Sequence, residues 1–449
     1  SFSRRLQVAR LSDSTGAIAG YCLGIAIDST GQRVFDRQLE AAADGGPEFW
    51  QKTVEFVTGL AGRYAVLICN GAETRVFGDA CGSFPCVFDP EEGTAGSSLL
   101  MTLERRIAPN RQRDVRVALR GEGRMPFGRT RDAHARVLSV NHYLSLPAMT
   151  EHRFWPLAGE VEEIQMAEVP DCLETIRSRL SQVIAGIAAT ERTALALSGG
   201  NDSRTLLACA KPVLPEIARF YTQVHSYNSR ADYKSAARLA RAWGFKLERH
   251  LEEAPLTEQE AEQRTAHYKI STGYGALPQQ TTNKNFNAYP DEGETLLLGN
   301  VLEIMRASHW RTGKRGHKRL TREFGLRRCK FIGTAGFTKR FAARWMPEFD
   351  AWYDGLPSDA QDNYIDFTFT EHYLGYHGTC LLGTLKGFPV FPFNDRRLIS
   401  LSSRLPLDYR YSNRANQDLL QLAAPDLAAV PFARDIQRNA AQQQQGKAA

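Results

Sequence analysis

Apolar runs of strand length alternate with stretches of helical spacing between residues 171 and 252. This pattern predicts a helix over 171–189 with Asp171 as its N-cap. It then predicts a strand within 193–200 that leads into a helix over 201–212. Further predicted elements are strands at 216–224, 246–252 and 294–300, and a helix at 231–245. Strands joined through helices pair in parallel with right-handed crossovers, so this part of the chain is predicted to be α/β.

The first 160 residues carry a different pattern, in which short apolar or alternating runs are broken by Gly, Asn and Asp. These runs predict strands at 18–28, 64–71, 74–79 and 97–103. A helix is predicted over 49–62, where the apolar spacing is helical and glycine ends the run. We therefore predict an α+β domain over 1–160, a second domain over 161–438 and a disordered tail over 439–449.

Composition places the chain among ordinary globular proteins, with 43% apolar and 24% charged residues. No apolar run approaches the length of a membrane-spanning helix, and the first residues lack the apolar core of a signal peptide. The eight cysteines are scattered without a CxxC pair, which is typical of a reduced protein without a zinc site. We accordingly expect a cytoplasmic protein that does not contact a membrane.

The formal net charge of +6 is unevenly placed, with arginine-rich stretches at 105–136 and 306–330. Two interpretations of these stretches stay open: solvated surface, or a landing site for an anionic substrate, a peptide or a nucleic acid. No recognisable nucleic-acid-binding module accompanies either stretch, so a nucleic-acid partner is not expected.

The segment 196–204 joins a predicted buried strand to a helix through a Ser-Gly-Gly turn. The two glycines permit close backbone approach, and the amides of the turn and of the helix start form a cradle for an anion. Asp202 would repel a phosphate unless it binds Mg²⁺, which then bridges to the phosphate oxygens. The alternative is a tight turn with Asp202 near an N-cap. The segment lacks the GxxxxGK[ST] pattern of the Walker loop.

The run SGGNDSR at 198–204 resembles the SGGxDS signature of the N-type ATP pyrophosphatases, or PP-loop enzymes. More narrowly, the order of features resembles the asparagine synthetase superfamily, which includes β-lactam synthetases and lasso-peptide cyclases. Two further patterns carry this resemblance: Asp-x-x-Gly-x-x-Pro at Asp79, Gly82 and Pro85, and Pro-Phe-x-Asp at Pro392, Phe393 and Asp395. Residues 140–157 resemble the linker between the two halves of that family.

The resemblance implies a glutaminase-like, Ntn-type sandwich in the first domain and a PP-loop parallel-sheet synthetase domain with a helical extension in the second. It implies that the second domain binds ATP and Mg²⁺, adenylates a carboxylate, releases pyrophosphate and passes the acyl group to an amine. The implied ATP site comprises Leu197, Ser198, Gly199, Gly200, Asn201, Asp202, Ser203, Arg204, Tyr221, Thr222 and Gly299. Asp202 is the implied metal ligand, and Asp202, Glu303 and Arg434 are the implied catalytic residues.

Three departures from the family pattern shape the functional prediction. Leu302 stands where the family has a metal-assisting Asp, and the adjacent Glu303 is either catalytic, or exposed, or a partner of Arg306. Arg434 stands in place of the lysine that neutralises charge in the adenylation transition state. The chain begins with Ser1 where glutaminases of this fold have a nucleophilic cysteine, so we expect a degenerate glutaminase domain.

We therefore predict an ATP-dependent, AMP-forming carbon–nitrogen ligase that does not take ammonia from glutamine. Its partners would be a carboxylate substrate and an amine nucleophile, including ones carried on a peptide. Two alternatives stay open: adenylation with another acceptor, as in RNA-modifying PP-loop enzymes, and a decayed synthetase that only binds nucleotide or assembles a complex. Asp232 is either a further acid of the site or a helix N-terminal carboxylate. Glu371 and His372 are either acid–base groups or core residues.

Overall fold

Two large sheets organise the fold, one mainly antiparallel and one parallel, which confirms the predicted α/β class. They belong to a computed structural model that describes residues 6–110, 127–224, 227–251, 257–272, 293–311, 321–329, 338–375 and 387–433. Within these ranges no helix combines the length and the apolarity needed to cross a membrane.

Residues 8–153 supply the strands of the antiparallel sheet and of a small third sheet. In chain order they are β1 (Val8–Ser12), β2 (Ile18–Ile27), β3 (Arg37–Gln38), β4 (Ala61–Cys69), β5 (Thr74–Gly78), β6 (Val87–Asp89), β7 (Thr94–Gly96), β8 (Arg136–Val137), β9 (His142–Ser145) and β10 (Thr150–Arg153). The large sheet has the order β10-β9-β5-β4-β2-β1-β3, and the small one is β7-β6-β8. The strands predicted at 18–28, 64–71 and 74–79 are thus confirmed.

The strand predicted at 97–103 is wrong, because Leu99–Thr102 forms a helical turn. Thr102 Oγ1 donates to the carbonyl of Ser98 at 2.8 Å or to that of Val87 at 3.1 Å, which fixes the turn beside β6. A short apolar run does not distinguish a strand from a buried helical turn by its periodicity, so the prediction lacked a deciding signal.

The second half of the chain forms an all-parallel sheet. Its strands are β11 (Thr193–Ala196), β12 (Arg219–Val224), β13 (Leu247–Leu251), β14 (Thr295–Leu297) and β15 (Phe388–Val390). Four of them confirm the predicted strands, and β15 has no counterpart in the prediction. The order β13-β12-β11-β14-β15 places the first strand in the centre, so the order reverses between β11 and β14. Ligands of open α/β sheets bind in the crevice at such a reversal.

The described residues also form fourteen helices. They are α1 (Pro47–Thr58), α2 (Leu99–Thr102), α3 (Val169–Ala188), α4 (Asn201–Cys209), α5 (Tyr227–Trp243), α6 (Glu258–Thr272), α7 (Arg322–Arg328), α8 (Lys339–Asp354), α9 (Ser358–Asp362), α10 (Tyr364–Phe367), α11 (Arg396–Arg404), α12 (Leu407–Tyr411), α13 (Arg414–Ala423) and α14 (Pro425–Ala428). Short 3₁₀ segments lie at Ala43–Gly45, Met166–Glu168, Lys211–Glu216, Leu302–Arg306 and Ser308–Trp310, and a π-helical segment at Thr368–Leu374.

The four predicted helices are confirmed as α1, α3, α4 and α5, with ends that differ by a few residues. The predicted N-cap of α3 is wrong, because Glu168 occupies that position and Asp171 lies in the first helical turn. Pro170 explains the shift, since proline is favoured at the start of a helix, where its missing amide donor is not needed.

Residues 394–396 join the parallel sheet to the antiparallel one. Asn394 Nδ2 donates to Asp79 Oδ1 at 2.8 Å, so the two sequence patterns that contain these residues meet in the fold. Asp395 accepts from Arg179 Nε at 2.7 Å, and Arg396 donates to the carbonyl of Gly78 at 2.9 Å. The side chains of this junction are buried, and each charge has a partner, as buried charges require.

Candidate functional site

The turn after β11 lies where the strand order reverses. α4 begins directly after Gly200, whose backbone is extended and which provides no side-chain cap. The end of β14 runs alongside this turn, because a Cβ on Gly299 would lie 2.9 Å from the backbone carbonyl carbon of Asp202. Glycine alone permits such an approach. The fold therefore brings the ends of β11 and β14 and the start of α4 to one place.

The three amides of the turn are hydrogen-bonded within the protein. Ser198 N donates to Ser203 Oγ at 3.0 Å, and Gly200 N donates to Ser198 Oγ at 3.2 Å. Gly199 N donates to Asp232 Oδ1 at 2.9 Å, which brings the second predicted acid to the turn. The amides left for an anion are those of the first turn of α4, where the positive end of the helix dipole adds to their attraction.

The C-terminal segment of the described chain covers Gly199. Ala433 N donates to the carbonyl of Gly199 at 3.2 Å. A Cβ on Gly199 would lie only 2.2 Å from the Cβ of Ala433, so this position requires glycine. Arg434 is the next residue along the chain, and it lies outside the described residues.

Arg204 holds the same C-terminal segment. This residue is fully buried, and its guanidinium lies over the ring of Phe432 at 3.8 Å from the centroid. Its terminal nitrogens donate to Ser235 Oγ and to the carbonyls of Leu427, Val430 and Pro431. The guanidinium therefore influences the turn at 198–200 indirectly, by fixing the segment that packs against it.

Asp202 is bound by an arginine from the turn after β14. Arg306 Nε donates to Asp202 Oδ1 at 3.1 Å, and its Nη2 donates to Oδ2 at 2.7 Å. Glu303 lies beside this pair, and its buried Oε2 has no hydrogen-bond partner among the described residues. Burial, and then the negative charge of Asp202, raise the pKa of Glu303 to about 7. Arg306 therefore contacts Asp202 directly and affects Glu303 through its charge.

Leu302, which stands where the resemblance expects an Asp, is fully buried in the apolar core. The preceding Val301 has φ +77°, which is rare for a β-branched residue because its Cβ crowds the backbone. Ala307, at the other end of the turn, has φ +43°. Residues 301–307 therefore form a strained turn that displays Glu303 and Arg306 between buried anchors.

Of the residues predicted beside the adenosine, Leu197 directly follows β11, and Tyr221 and Thr222 lie in the middle of β12. Leu197 N donates to the carbonyl of Tyr221 at 2.8 Å, and both side chains are buried. Thr222 is also buried, and its Oγ1 has no partner among the described residues. Asn201 Nδ2 donates to Asn413 Oδ1 at 3.4 Å, while the buried Oδ1 of Asn201 is unpaired in the described structure.

The donors present fit a single hard cation. In the described part of the chain, no group of three or more His, Cys, Asp or Glu side chains converges as a metal site. Asp202 and Glu303 supply two carboxylates, and the unpartnered Oε2 of Glu303 is an oxygen of the kind that Mg²⁺ takes. Mg²⁺ usually completes its shell with water and phosphate oxygens, so Asp202 and Glu303 would be enough protein ligands to hold it.

Glu371 and His372 lie away from this turn and serve other contacts. Glu371 accepts from Arg153, Asn141 Nδ2 and Trp352 Nε1. Burial alone would raise the pKa of Glu371, but Arg153 and the other donors lower it to about 2. Burial lowers the pKa of His372 to about 4. Both groups therefore keep one protonation state through the neutral range.

A cavity of about 530 Å³ lies between the antiparallel half and the helices of residues 348–375. Its lining includes Phe77, Phe127, Arg136, His142, Glu151 and Trp352. The charges in its wall are paired, since Arg136 lies 3.5 Å from Glu151 and Arg129 lies 3.2 Å from Glu348. His142 Nδ1 lies 2.9 Å from the carbonyl of Val140, which requires the proton on that nitrogen.

A scan of protein-family models finds none that matches this chain, and a search of curated proteins finds no similar sequence. The interpretation of the site therefore depends on its own residues. The sequence predicts Arg306 only as a partner of Glu303, so the pairing of Arg306 with Asp202 is a finding of the structure. The spacing of residues carries no signal for this pairing, because Arg306 and Asp202 are 104 positions apart.

Proposed function

We propose that this chain is an ATP-dependent, AMP-forming carbon–nitrogen ligase that does not use glutamine. The observation that carries the proposal is the place of the turn at 198–203, between a buried parallel strand and a helix start at the reversal of strand order. Anionic ligands bind at helix N-termini in such crevices. Two carboxylates and a guanidinium within the same crevice match the needs of a magnesium–nucleotide complex.

In this proposal the first-turn amides of α4 and the hydroxyls of Ser198 and Ser203 hold the pyrophosphate end of ATP. Leu197, Tyr221 and Thr222 line the adenosine side. Asp202 and Glu303 would hold Mg²⁺, which when bound stabilises charge on the departing pyrophosphate. The substrate carboxylate attacks the α-phosphate and expels pyrophosphate. The amine then attacks the acyl carbon of the acyl-adenylate, expels AMP and loses a proton as the amide forms. Arg434 is the proposed source of further positive charge.

We also propose that the antiparallel half is a degenerate glutaminase-like, Ntn-type domain and the parallel half a PP-loop synthetase domain. The contact between Asn394 and Asp79 supports this, because it joins the two patterns on which the resemblance depends. The amine would then come from the substrate or from a second substrate, including one carried on a peptide.

Isothermal titration of the purified chain with ATP and Mg²⁺ tests the proposal first. Binding is expected for the natural sequence, and Asp202→Ala is expected to remain folded while losing magnesium-dependent binding. A screen of carboxylates by ATP–pyrophosphate exchange then identifies the acid. Absence of ATP binding at millimolar concentrations of nucleotide and metal would refute the proposed function.

A second candidate is a nucleotide-binding or scaffold protein derived from such a synthetase. Two observations favour it: Leu302 is buried in the core, and Arg306 occupies both oxygens of Asp202. This candidate predicts ATP binding without pyrophosphate exchange for any carboxylate in the screen. ATP–pyrophosphate exchange with one carboxylate, lost in Asp202→Ala, would instead support the ligase.

A further inference from the structure

Arg306 engages both carboxylate oxygens that a metal ion would need from Asp202. The two contacts measure 3.1 and 2.7 Å and form a fork, the strongest arrangement between arginine and a carboxylate. The side chains of Arg306 and Asp202 are 27% and 21% exposed, so solutes reach the pair. A cation that binds Asp202 must therefore displace a side chain already in place.

The backbone fixes Arg306 at this position. Leu302, Ile304 and Met305 are buried, and they anchor the 3₁₀ turn that ends at Arg306. Positive φ angles at Val301 and Ala307 enclose the same turn. Such strain persists only where the surrounding packing imposes it, and it is concentrated at ligand sites and switches.

The phosphates of a bound nucleotide would give Arg306 a second place to bind. Glu303 Oε2 is buried and unpartnered in the described structure, and it belongs to the same turn. The first turn of α4 would present phosphate oxygens close to Asp202, and a guanidinium binds phosphate in the same forked way as carboxylate. Leu302, the neighbour of Glu303, is buried in the core and adds no carboxylate here.

We propose that Arg306 occupies both carboxylate oxygens of Asp202 in the metal-free protein. When a metal ion binds Asp202, Arg306 moves to the phosphates of the nucleotide. The nucleotide half of this inference rests on the proposed function; the exchange between Arg306 and a metal ion does not. Arg306 would thereby be a positioning residue for the metal and a binding residue for the phosphates.

Manganese binding to the nucleotide-free protein, followed by electron paramagnetic resonance, tests the exchange. Arg306→Gln is expected to bind Mn²⁺ about tenfold more tightly than the natural chain, because the competing charge-assisted hydrogen bonds are gone. Arg311→Gln is the matched control: Arg311 Nη2 donates to the carbonyl of Arg306 at 3.4 Å, so this variant removes a nearby charge but leaves the fork. Its effect is expected to stay below about threefold.

Equal manganese affinity in the natural chain and in Arg306→Gln overturns the proposal, as does an equal gain in Arg311→Gln. Titration with ATP at saturating Mg²⁺ gives the second arm, in which Arg306→Gln should bind ATP about tenfold more weakly. Unchanged ATP affinity also overturns it. If Arg306→Gln does not fold, Arg306→Lys replaces it, with effects expected in the same directions and smaller because lysine lacks the fork.

The two arms separate this inference from the proposed function. If the natural chain binds Mn²⁺ through Asp202 but does not bind ATP, both the ligase and the phosphate role of Arg306 are refuted. The comparison of manganese affinity with Arg306→Gln then still tests whether a metal ion displaces Arg306. A natural chain that binds ATP, with manganese affinity unaffected by Arg306→Gln, retains the ligase and removes the exchange.

Discussion

Arg153 binds Glu371 through both terminal nitrogens, with Nη1 2.8 Å from Oε1 and Nη2 3.0 Å from Oε2. Asn141 and Trp352 add donors at 2.9 and 2.7 Å, so the carboxylate accepts four hydrogen bonds. Arg153 belongs to β10 of the antiparallel sheet, whereas Glu371 belongs to the π-helical segment of the second half. This ion pair therefore fastens the two halves together beside the large cavity.

Replacing Glu371 with Gln is expected to lower the free energy of unfolding by about 3 kcal/mol at neutral pH, because Arg153 is left without its counter-charge. The pKa of Glu371 is lowered from the ordinary 4.5 to about 2 on folding. Its stabilisation is therefore complete above pH ~4.5 and is lost as the pH falls towards ~2. Urea unfolding across this range should show a weaker pH dependence for the variant. Glu323→Gln, which removes an exposed carboxylate paired with Arg327, serves as the control.

Gly199→Ala is expected to weaken ATP binding by at least about tenfold, because overpacking of this size costs ~1–3 kcal/mol and displaces Ala433. The added Cβ would also lie 2.9 Å from Asp232 Oδ1. Gly200→Ala is the matched variant, since its Cβ would meet only Ser198 Oγ at 3.3 Å and its φ of −87° suits any residue. Titration calorimetry compares the two; equal affinities would show that the turn tolerates a side chain at Gly199.

Leu302→Asp is expected to destabilise the protein by at least about 3 kcal/mol, because it buries an unpaired carboxylate in the apolar core. Leu302→Met keeps the volume, and its cost is expected to be below about 1.5 kcal/mol. Thermal unfolding measures both variants. If Leu302→Asp keeps the stability of the natural chain and binds Mn²⁺ more tightly, the side chain at this position reaches the metal site and the prediction is wrong.

Arg204→Met is expected to free the segment 427–433, because the backbone carbonyls of that segment lose their buried donor. The cost in unfolding free energy should be about 3 kcal/mol, because buried acceptors lose their donor. Hydrogen–deuterium exchange of peptides from this segment is the direct measurement, and faster exchange is expected there before other regions. Arg397→Met, at an exposed helical position, should leave the exchange unchanged.

The parallel sheet was predictable because its signals are local. β11 and β14 are apolar runs, β12 and β13 each lie next to a predicted helix in the sequence, and the turn at 198–203 follows β11. β15 escaped prediction because it has three residues, one of them Pro389, and its pairing with β14 joins segments almost a hundred residues apart. Its strand character comes from that tertiary pairing.

The run SGGNDSR at 198–204 indicates where the candidate site lies, but it does not predict which residues bind its side chains and amides. The sequence leaves two interpretations of Asp232 open, an acid of the site or a helix N-terminal carboxylate. Its contact with Gly199 N depends on how α5 packs. The pairing of Asp202 with Arg306 joins residues 104 positions apart. Contacts of this range are set by the three-dimensional arrangement of strand ends, which the spacing of residues along the chain does not specify.

The contact between Asn394 and Asp79 can form only late in the synthesis of these residues. Asp79 is synthesised 315 residues before the amide that binds it. A growing chain folds from its N-terminus, so the Asp79 carboxylate lacks this hydrogen bond until residue 394 has been made. The antiparallel half is therefore completed by an amide from the parallel half.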